Sequence, residues 1–247
     1  VRKALATFGS GPAAELVVLA FPTLRAYAQR HGYEIVVGDG EAHGRHPAWG
    51  KVPFLKRLLE SYDFVLWIDA DALILDPSVD LETVVPADAF QAFAVTQSLP
   101  GWGSSPCLGV WAFRAGPRAQ RFLDAVWEQE DLIEHPWWEQ TALMRLTGWT
   151  IERPLSKERA SEWDEGTFFL DEQWDMIPMF PVGYAAGRIR HYAGWSYRRR
   201  KRDMRTDLAL ARGAHLRHWL GLLERRARPL YEPANARLAR LRSGAKD

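Results

Sequence analysis

Five apolar residues without a break, Phe64-Val65-Leu66-Trp67-Ile68, run straight into Asp69-Ala70-Asp71, and Ala72-Leu73-Ile74-Leu75 follows at once. A strand that is apolar at every position has no face for water, so it must be covered on both sides. Coverage on both sides is supplied by helices packed on a parallel sheet. The preceding residues supply those helices. Ala4-Leu5-Ala6-Thr7-Phe8 reads as a buried first strand that stops at Gly9-Ser10-Gly11-Pro12. Residues 13–31 carry Leu16, Leu19, Leu24 and Tyr27 at helical spacing, and Pro22 is expected to kink or restart that helix. Glu34-Ile35-Val36-Val37 is a second strand that turns at Gly38-Asp39-Gly40. Val52, Leu55, Leu59 and Tyr62 mark a second helix, with Pro53 in its first turn. Strand, helix, strand, helix, strand is the pattern of an α/β sheet wound from parallel strands.

Beyond Leu75 the pattern is less regular. Strands are expected at 89–95 and 108–113. Helices are expected from Pro117 to Trp127 and from Trp138 to Leu146, and a further strand over Trp174-Asp175-Met176-Ile177. From Tyr197 the chain is basic and helical in pattern, with Leu208, Ala211, Trp219, Leu220 and Leu223 available to face inward. This divides the chain into a sheet-built domain over 1–196, expected to carry the functional site, and a basic helical extension over 197–247.

Bulk properties exclude several classes. The 247 residues carry a formal net charge of +1, so there is no bulk attraction to nucleic acid or anionic membrane. The basic stretch from Tyr197 to Arg205 has no nucleic-acid motif around it and reads as a solvated helix face. One cysteine, Cys107, cannot form an internal disulfide or a thiolate metal site. No apolar run approaches the ~20 residues of a membrane span, so no integral membrane segment is expected. No secretory signal opens the chain. Cytoplasmic is the default reading, with a leader or anchor ahead of Val1 left open.

The chemistry is concentrated at Asp69 and Asp71. Two acids two positions apart at the end of a strand point to one side, with Ala70 pointing to the other. Forced together at an apolar sheet edge they repel, and a divalent cation removes that cost. Carboxylates plus substrate phosphates are what Mg²⁺ or Mn²⁺ prefers. The carboxyl end of a strand is also where open α/β sheets bind ligands. A D-x-D triplet alone is short and common; set in this apolar run, it is an acidic island.

Five motifs occur in order: Tyr27-Ala28-Gln29-Arg30-His31-Gly32-Tyr33, Trp49-Gly50-Lys51, Leu66-Trp67-Ile68-Asp69-Ala70-Asp71, Glu139-Gln140-Thr141-Ala142 and His191-Tyr192-Ala193-Gly194. Together they resemble the galactosyl-, mannosyl- and xylosyltransferases of yeast and plants, over about residues 3–196. The resemblance implies a GT-A, Rossmann-like nucleotide-sugar fold. It implies Mn²⁺ (or Mg²⁺), a UDP- or GDP-sugar donor with UDP the preferred reading, and transfer that retains the donor's anomeric configuration. It implies that Asp71 ligates the metal, that Asp69 contacts the ribose or shares the metal, and that His191 is the distant third ligand. Gly194 would let backbone approach the diphosphate, and Thr7 and Phe8 would lie along the base. Lys51 would reach the ribose or a phosphate.

Under the donor sugar, the resemblance places Glu139 and Gln140 as catalytic residues. Glu139 would orient hydroxyls, and Gln140 would sit near the anomeric carbon. Either Glu139 attacks, or the acceptor enters on the leaving-group side with the β-phosphate taking its proton. The sequence departs from its relatives at Cys107, where many carry Asn or Ser, and at Tyr197, where related enzymes place a lysine. Arg198, Arg199 and Arg200 follow, and one of them could take over that lysine's role of neutralising the leaving diphosphate; Arg198 is the one named. The acceptor is not legible, although Trp102, Trp138 and Trp195 are candidates for its platform. Two other readings compete: a nucleotidyltransferase, which would need basic residues in the Gly9–Pro12 loop, and a non-catalytic carbohydrate-binding module.

Overall fold

The computed structural model describes residues 1–97, 103–177 and 187–212. A six-stranded sheet has the order β2-β1-β3-β6-β5-β7. Its strands are β1 (Lys3–Thr7), β2 (Tyr33–Val37), β3 (Phe64–Ile68), β5 (Gln91–Gln97), β6 (Ser104–Arg114) and β7 (Thr167–Leu170). β1 pairs in parallel with β2 and β3, and β5 with β7; β6 runs antiparallel to β3 and β5. The sheet is thus mainly parallel, as expected. A second, two-stranded sheet pairs β4 (Ala72–Ile74) with β8 (Ile189–His191).

Helices cover both faces. On one side lie α1 (Ala13–His31) and α6 (Tyr197–Arg212), packed with Leu5, Leu66 and Ile68. On the other lie α2 (Lys51–Leu58), α4 (Pro117–Trp127) and α5 (Trp138–Leu146), packed with Ala4, Ala6, Val65 and Trp67. β3 is buried at every position, which accounts for its unbroken apolar run. Each fully buried large aliphatic side chain there contributes about 1.5–3 kcal/mol, whichever face it takes. A single turn, α3 (Leu81–Val84), is capped by Asp80, whose carboxylate accepts from the Glu82 N–H.

Two local expectations change. α1 continues through Pro22 and does not restart there. The hydrogen bond that proline cannot make belongs to the carbonyl of Val18, a residue 72% exposed, so water can take it. The helix ends instead at Gly32, in the left-handed conformation at φ 73°, whose N–H bonds back to Ala28. The segment 174–177 is not a strand. Glu172–Trp174 is a short 3₁₀ turn, and Met176 makes only a bridge to Arg190. The small sheet of β4 and β8, and the edge strand β7, were not anticipated.

α6 docks on α1 through Tyr197 and Lys201, which both bond Glu15. Met204 is fully buried beneath it. Asp207 accepts from the Tyr192 hydroxyl and pairs with Arg190 at 3.2 Å, both charges being 3% exposed. Residues 213–247 of the expected extension, with Trp219, Leu220 and Leu223, lie outside the described residues, as does Trp102. Removing one partner of a buried pair leaves the other charge uncompensated. Asp207→Ala is therefore expected to cost about 3–5 kcal/mol in urea unfolding, against a small change for the exposed Arg198→Ala.

Candidate active site

β3 stops at Ile68, and Asp69-Ala70-Asp71 makes a tight turn into β4, closed by the Ala72 N–H on the Asp69 carbonyl at 3.0 Å. The carboxylates therefore converge by turn geometry, and not by the alternation of an extended strand. Asp69 Oδ1 accepts from the Trp67 indole N–H at 2.6 Å and from Lys51 Nζ at 3.0 Å. That leaves Asp69 Oδ2 facing His191, 3.5 Å from Nε2. Asp71 Oδ1 lies 3.5 Å from the same nitrogen, and Asp71 Oδ2 lies 3.0 Å from the Arg200 guanidinium.

His191 arrives by the small sheet. The β4–β8 ladder sets it directly opposite Ala72, the residue after the acids, and the Tyr192 N–H bonds the Asp71 carbonyl at 2.9 Å. The imidazole lies against bare backbone at Gly109, where a Cβ would stand 2.0 Å from Nδ1. Asp175, fully buried, holds Nδ1 at 2.9 Å, and the Cys107 thiol lies 3.4 Å from it. Burial works against charge on the ring, but Asp175 and Asp71 outweigh it and hold the imidazole pKa well above the ordinary value. Asp71 shifts the opposite way: burial raises it, and His191 and Arg200 more than reverse that, so its carboxyl stays below the usual range. Burial, aided by Asp175, pushes the Cys107 thiol up to about 11, so it is neutral and faces the ring, not a sugar.

An irregularity in β6 supplies the backbone partners. The β5–β6 register slips between Phe93, opposite Trp111, and Ala94, opposite Cys107. The intervening Leu108-Gly109-Val110 then bonds site residues. Leu108 accepts from Lys51 at 3.1 Å, Gly109 accepts from the Asp69 N–H at 2.8 Å, and Val110 donates to Asp175 at 2.9 Å.

Lys51 corrects its expected role. It is buried between Asp69 and Glu139, 2.8 Å from the latter, so it fastens two acids together and does not reach outward to a ribose or phosphate. Glu139, on α5, is 4% exposed, and its Oε2 has no hydrogen-bond partner among the described residues. Burial raises its pKa despite Lys51. Gln140 accepts from the Leu108 N–H at 3.4 Å, which brings the pair onto the same stretch of β6. Thr7 is buried at the end of β1, its hydroxyl without a partner among the described residues, and Phe8 packs edge-on against Trp67 at 4.9 Å. Gly194 has φ 75° and open space around it. The arginine at the acids is Arg200; Arg198 is exposed. Trp138, held at φ 45°, stacks flat on His46 at 3.7 Å, and Trp195 lies under Arg199.

The missed residues are Asp175 and Gly109; Arg200 is one of the three arginines weighed from the sequence, though not the one named. A lone acid between Trp174 and Met176 was the available signal for the first. The donor set suits a hard or borderline divalent cation: one atom each from Asp69, Asp71 and His191, all within 4.8 Å of one another.

Residues 13–98 match the galactosyl transferase GMA12/MNN10 family. The chain is 32% identical over 65 residues to an alpha-1,2-galactosyltransferase of Schizosaccharomyces pombe, covering 23% of this chain and 17% of that protein. It is 32% identical over 66 residues to the probable alpha-1,6-mannosyltransferase MNN10 of Saccharomyces cerevisiae, covering 24% and 17%. The match thus spans about a sixth of the length of either yeast relative. Among solved structures, a glycosyltransferase involved in glycosylation of the major capsid of PBCV-1 superposes with a TM-score of 0.60. The identity is 14%, over 83% of this chain and all of that one. The apo form of the glycosyltransferase GlyE of Streptococcus pneumoniae TIGR4 gives 0.51 at 14% identity, over 89% of this chain and 64% of that one. The fold is the GT-A type that the sequence implied.

Gly109 yields a test of this geometry. Gly109→Ala forces the new methyl into His191 and is expected to cost about 1–3 kcal/mol in denaturant unfolding. If the clash is with that ring, His191→Ala in the same chain restores much of the loss, so the two changes are not additive.

Proposed function

We propose that this chain, a match to the galactosyl transferase GMA12/MNN10 family over residues 13–98, is a metal-dependent glycosyltransferase. It moves a hexose or pentose from a nucleotide-sugar, with UDP the expected nucleotide, to a hydroxyl acceptor with retention. The observation that carries this reading is the convergence of Asp69, Asp71 and His191, brought together from opposite ends of the domain. With a neutral imidazole, the ionised carboxylates of Asp69, Asp71, Glu139 and Asp175 exceed Lys51 and Arg200 by two charges, which one divalent cation balances. Asp69 Oδ2, Asp71 and His191 Nε2 would hold it. When bound, such a cation offsets the charge of the departing diphosphate.

The chain's own groups divide the remaining work. A shallow cleft lined by Phe8, Asp39, Glu41, His43, Phe54 and Arg57 lies beside the end of β1, with flat apolar faces for a base and polar groups at its rim. Arg200, bonded to Asp71, is the cation placed to turn toward the diphosphate. Glu139, with one oxygen held by Lys51, is fixed by that pair; this favours orientation of the sugar over nucleophilic attack. The acceptor then enters on the leaving-group side. Trp138 on His46 offers a stacked aromatic surface next to Glu139, and that surface is the proposed platform for the acceptor. The nucleotidyltransferase reading stays weaker, because Gly9-Ser10-Gly11-Pro12 carries no basic side chain for a triphosphate.

The test is a panel of nucleotide-sugars with Mn²⁺, read by free nucleotide released and by unfolding temperature. One nucleotide class is expected to raise the midpoint, because ligand binds the native state alone. Asp71→Asn is expected to abolish Mn²⁺-dependent release while leaving the metal-free fold intact. Unchanged release from that variant in chelator would reject the assignment.

A further inference from the structure

We propose that Asp175 is a positioning residue that holds the proton on His191 Nδ1, so that Nε2 is the nitrogen that gives up its proton and presents its lone pair to a cation at Asp69 and Asp71. The inference rests on the metal reading above. A metal-ligating imidazole must present a bare nitrogen, and its other nitrogen must then carry a proton that some acceptor holds. At His191 the nitrogen facing the acids is Nε2, 3.5 Å from each, and the nitrogen facing inward is Nδ1. Asp175 Oδ1 is 2.9 Å from Nδ1 and can only accept there.

Asp175 is itself held on two sides. Its Oδ2 accepts the Val110 N–H at 2.9 Å. Its backbone neighbour is clasped by the His191 strand: Met176 donates to Ile189 at 3.0 Å, and His191 donates to Met176 at 2.8 Å. The carboxylate is 0% exposed, so water does not compete for either oxygen. The other neighbour of Nδ1, the Cys107 thiol at 3.4 Å, is the longer and weaker contact.

This arrangement makes an unusual demand on Asp175→Asn. The variant keeps shape and volume. The Val110 N–H requires an acceptor, so the amide oxygen takes that side and the NH₂ group faces Nδ1. Nδ1 then becomes the acceptor, and the proton moves to Nε2, where it points at the metal position. The isosteric change inverts the tautomer, whereas Asp175→Ala only removes the preference. A purely structural role predicts the reverse order, with the cavity-forming alanine the more harmful.

The experiment is Mn²⁺ titration of the intact chain, followed by loss of the free-ion paramagnetic resonance signal. It covers the unmodified protein, Asp175→Asn, Asp175→Ala, His191→Ala and the Asp175→Asn/His191→Ala double variant, with near-UV circular dichroism to check folding. Asp175→Asn is expected to raise the Kd by about 10–100-fold, at least as much as Asp175→Ala. It is expected to add nothing once His191 is alanine, because the coupling runs through that ring. An unchanged Kd for Asp175→Asn, or an undiminished effect without the histidine, overturns the inference while the metal site stands. Absence of Mn²⁺ binding by the unmodified protein overturns the metal reading itself. Should the asparagine variant not fold, unchanged affinity in Asp175→Ala overturns the inference equally.

Discussion

The structure depends on keeping acids ionised next to one another at the apolar end of a sheet. Asp71, Glu139 and Asp175 are buried and Asp69 is partly so, a placement that costs several kcal/mol per unpaired charge. The chain meets this cost with fixed partners. Lys51 binds Asp69 and Glu139, the Trp67 indole binds Asp69, and the Val110 amide binds Asp175. Arg200 and His191 supply the remaining positive charge at Asp71. These last two differ from Lys51 in kind. The lysine is walled in by Leu108 and two acids, whereas Arg200 reaches in from α6 with a side chain 32% exposed. One cation is structural cement, and the other can leave.

Topology explains why a histidine so far along the chain meets a turn near residue 70. An aspartate pair at the end of β3 needs a partner from another element, and the ladder of β4 with β8 delivers it in register. The same economy governs β6. In a regular strand the Leu108 carbonyl and the Val110 amide would face the β5 ladder. The register slip frees them for Lys51 and Asp175, while the Gly109 carbonyl stays on the β3 side and accepts from Asp69. Gly109 lacks a side chain because the imidazole occupies the place a methyl would take. The glycine there is a packing requirement and not a turn requirement.

What could be read in the sequence follows from which signals are local. The alternation of apolar runs and helical spacing is local, and β1, α1, β2, α2 and β3 fall where that pattern puts them. The acidic island is local too. Its geometry is not: the acids sit in a turn because Ala72 immediately begins a new strand, whose partner lies more than a hundred residues away. Asp175 was hidden for the same reason. Read alone, Trp174-Asp175-Met176-Ile177 alternates like a strand, and only the bonds of Met176 to β8 show that the segment is a clasp. Lys51 was misread because a lysine at a helix start is normally solvated. Its burial comes from elements that converge on it in three dimensions.

Proton and metal compete for one place in this design. In the metal-free chain, the carboxylates favour an imidazolium at His191, and Arg200 sits on Asp71; both supply positive charge where a cation would supply it. On the proposed metal reading, Asp69, Asp71 and His191 would hold a divalent ion where the Nε2 proton and the guanidinium now supply charge, with Asp175 keeping the Nδ1 proton. Arg200 is carried by α6, which is anchored below by Met204 and Asp207. On that reading the buried acidic cluster would serve stability and catalysis through a single electrostatic requirement. Whatever balances the acids in the resting protein would then be exchangeable for the cation that a diphosphate needs.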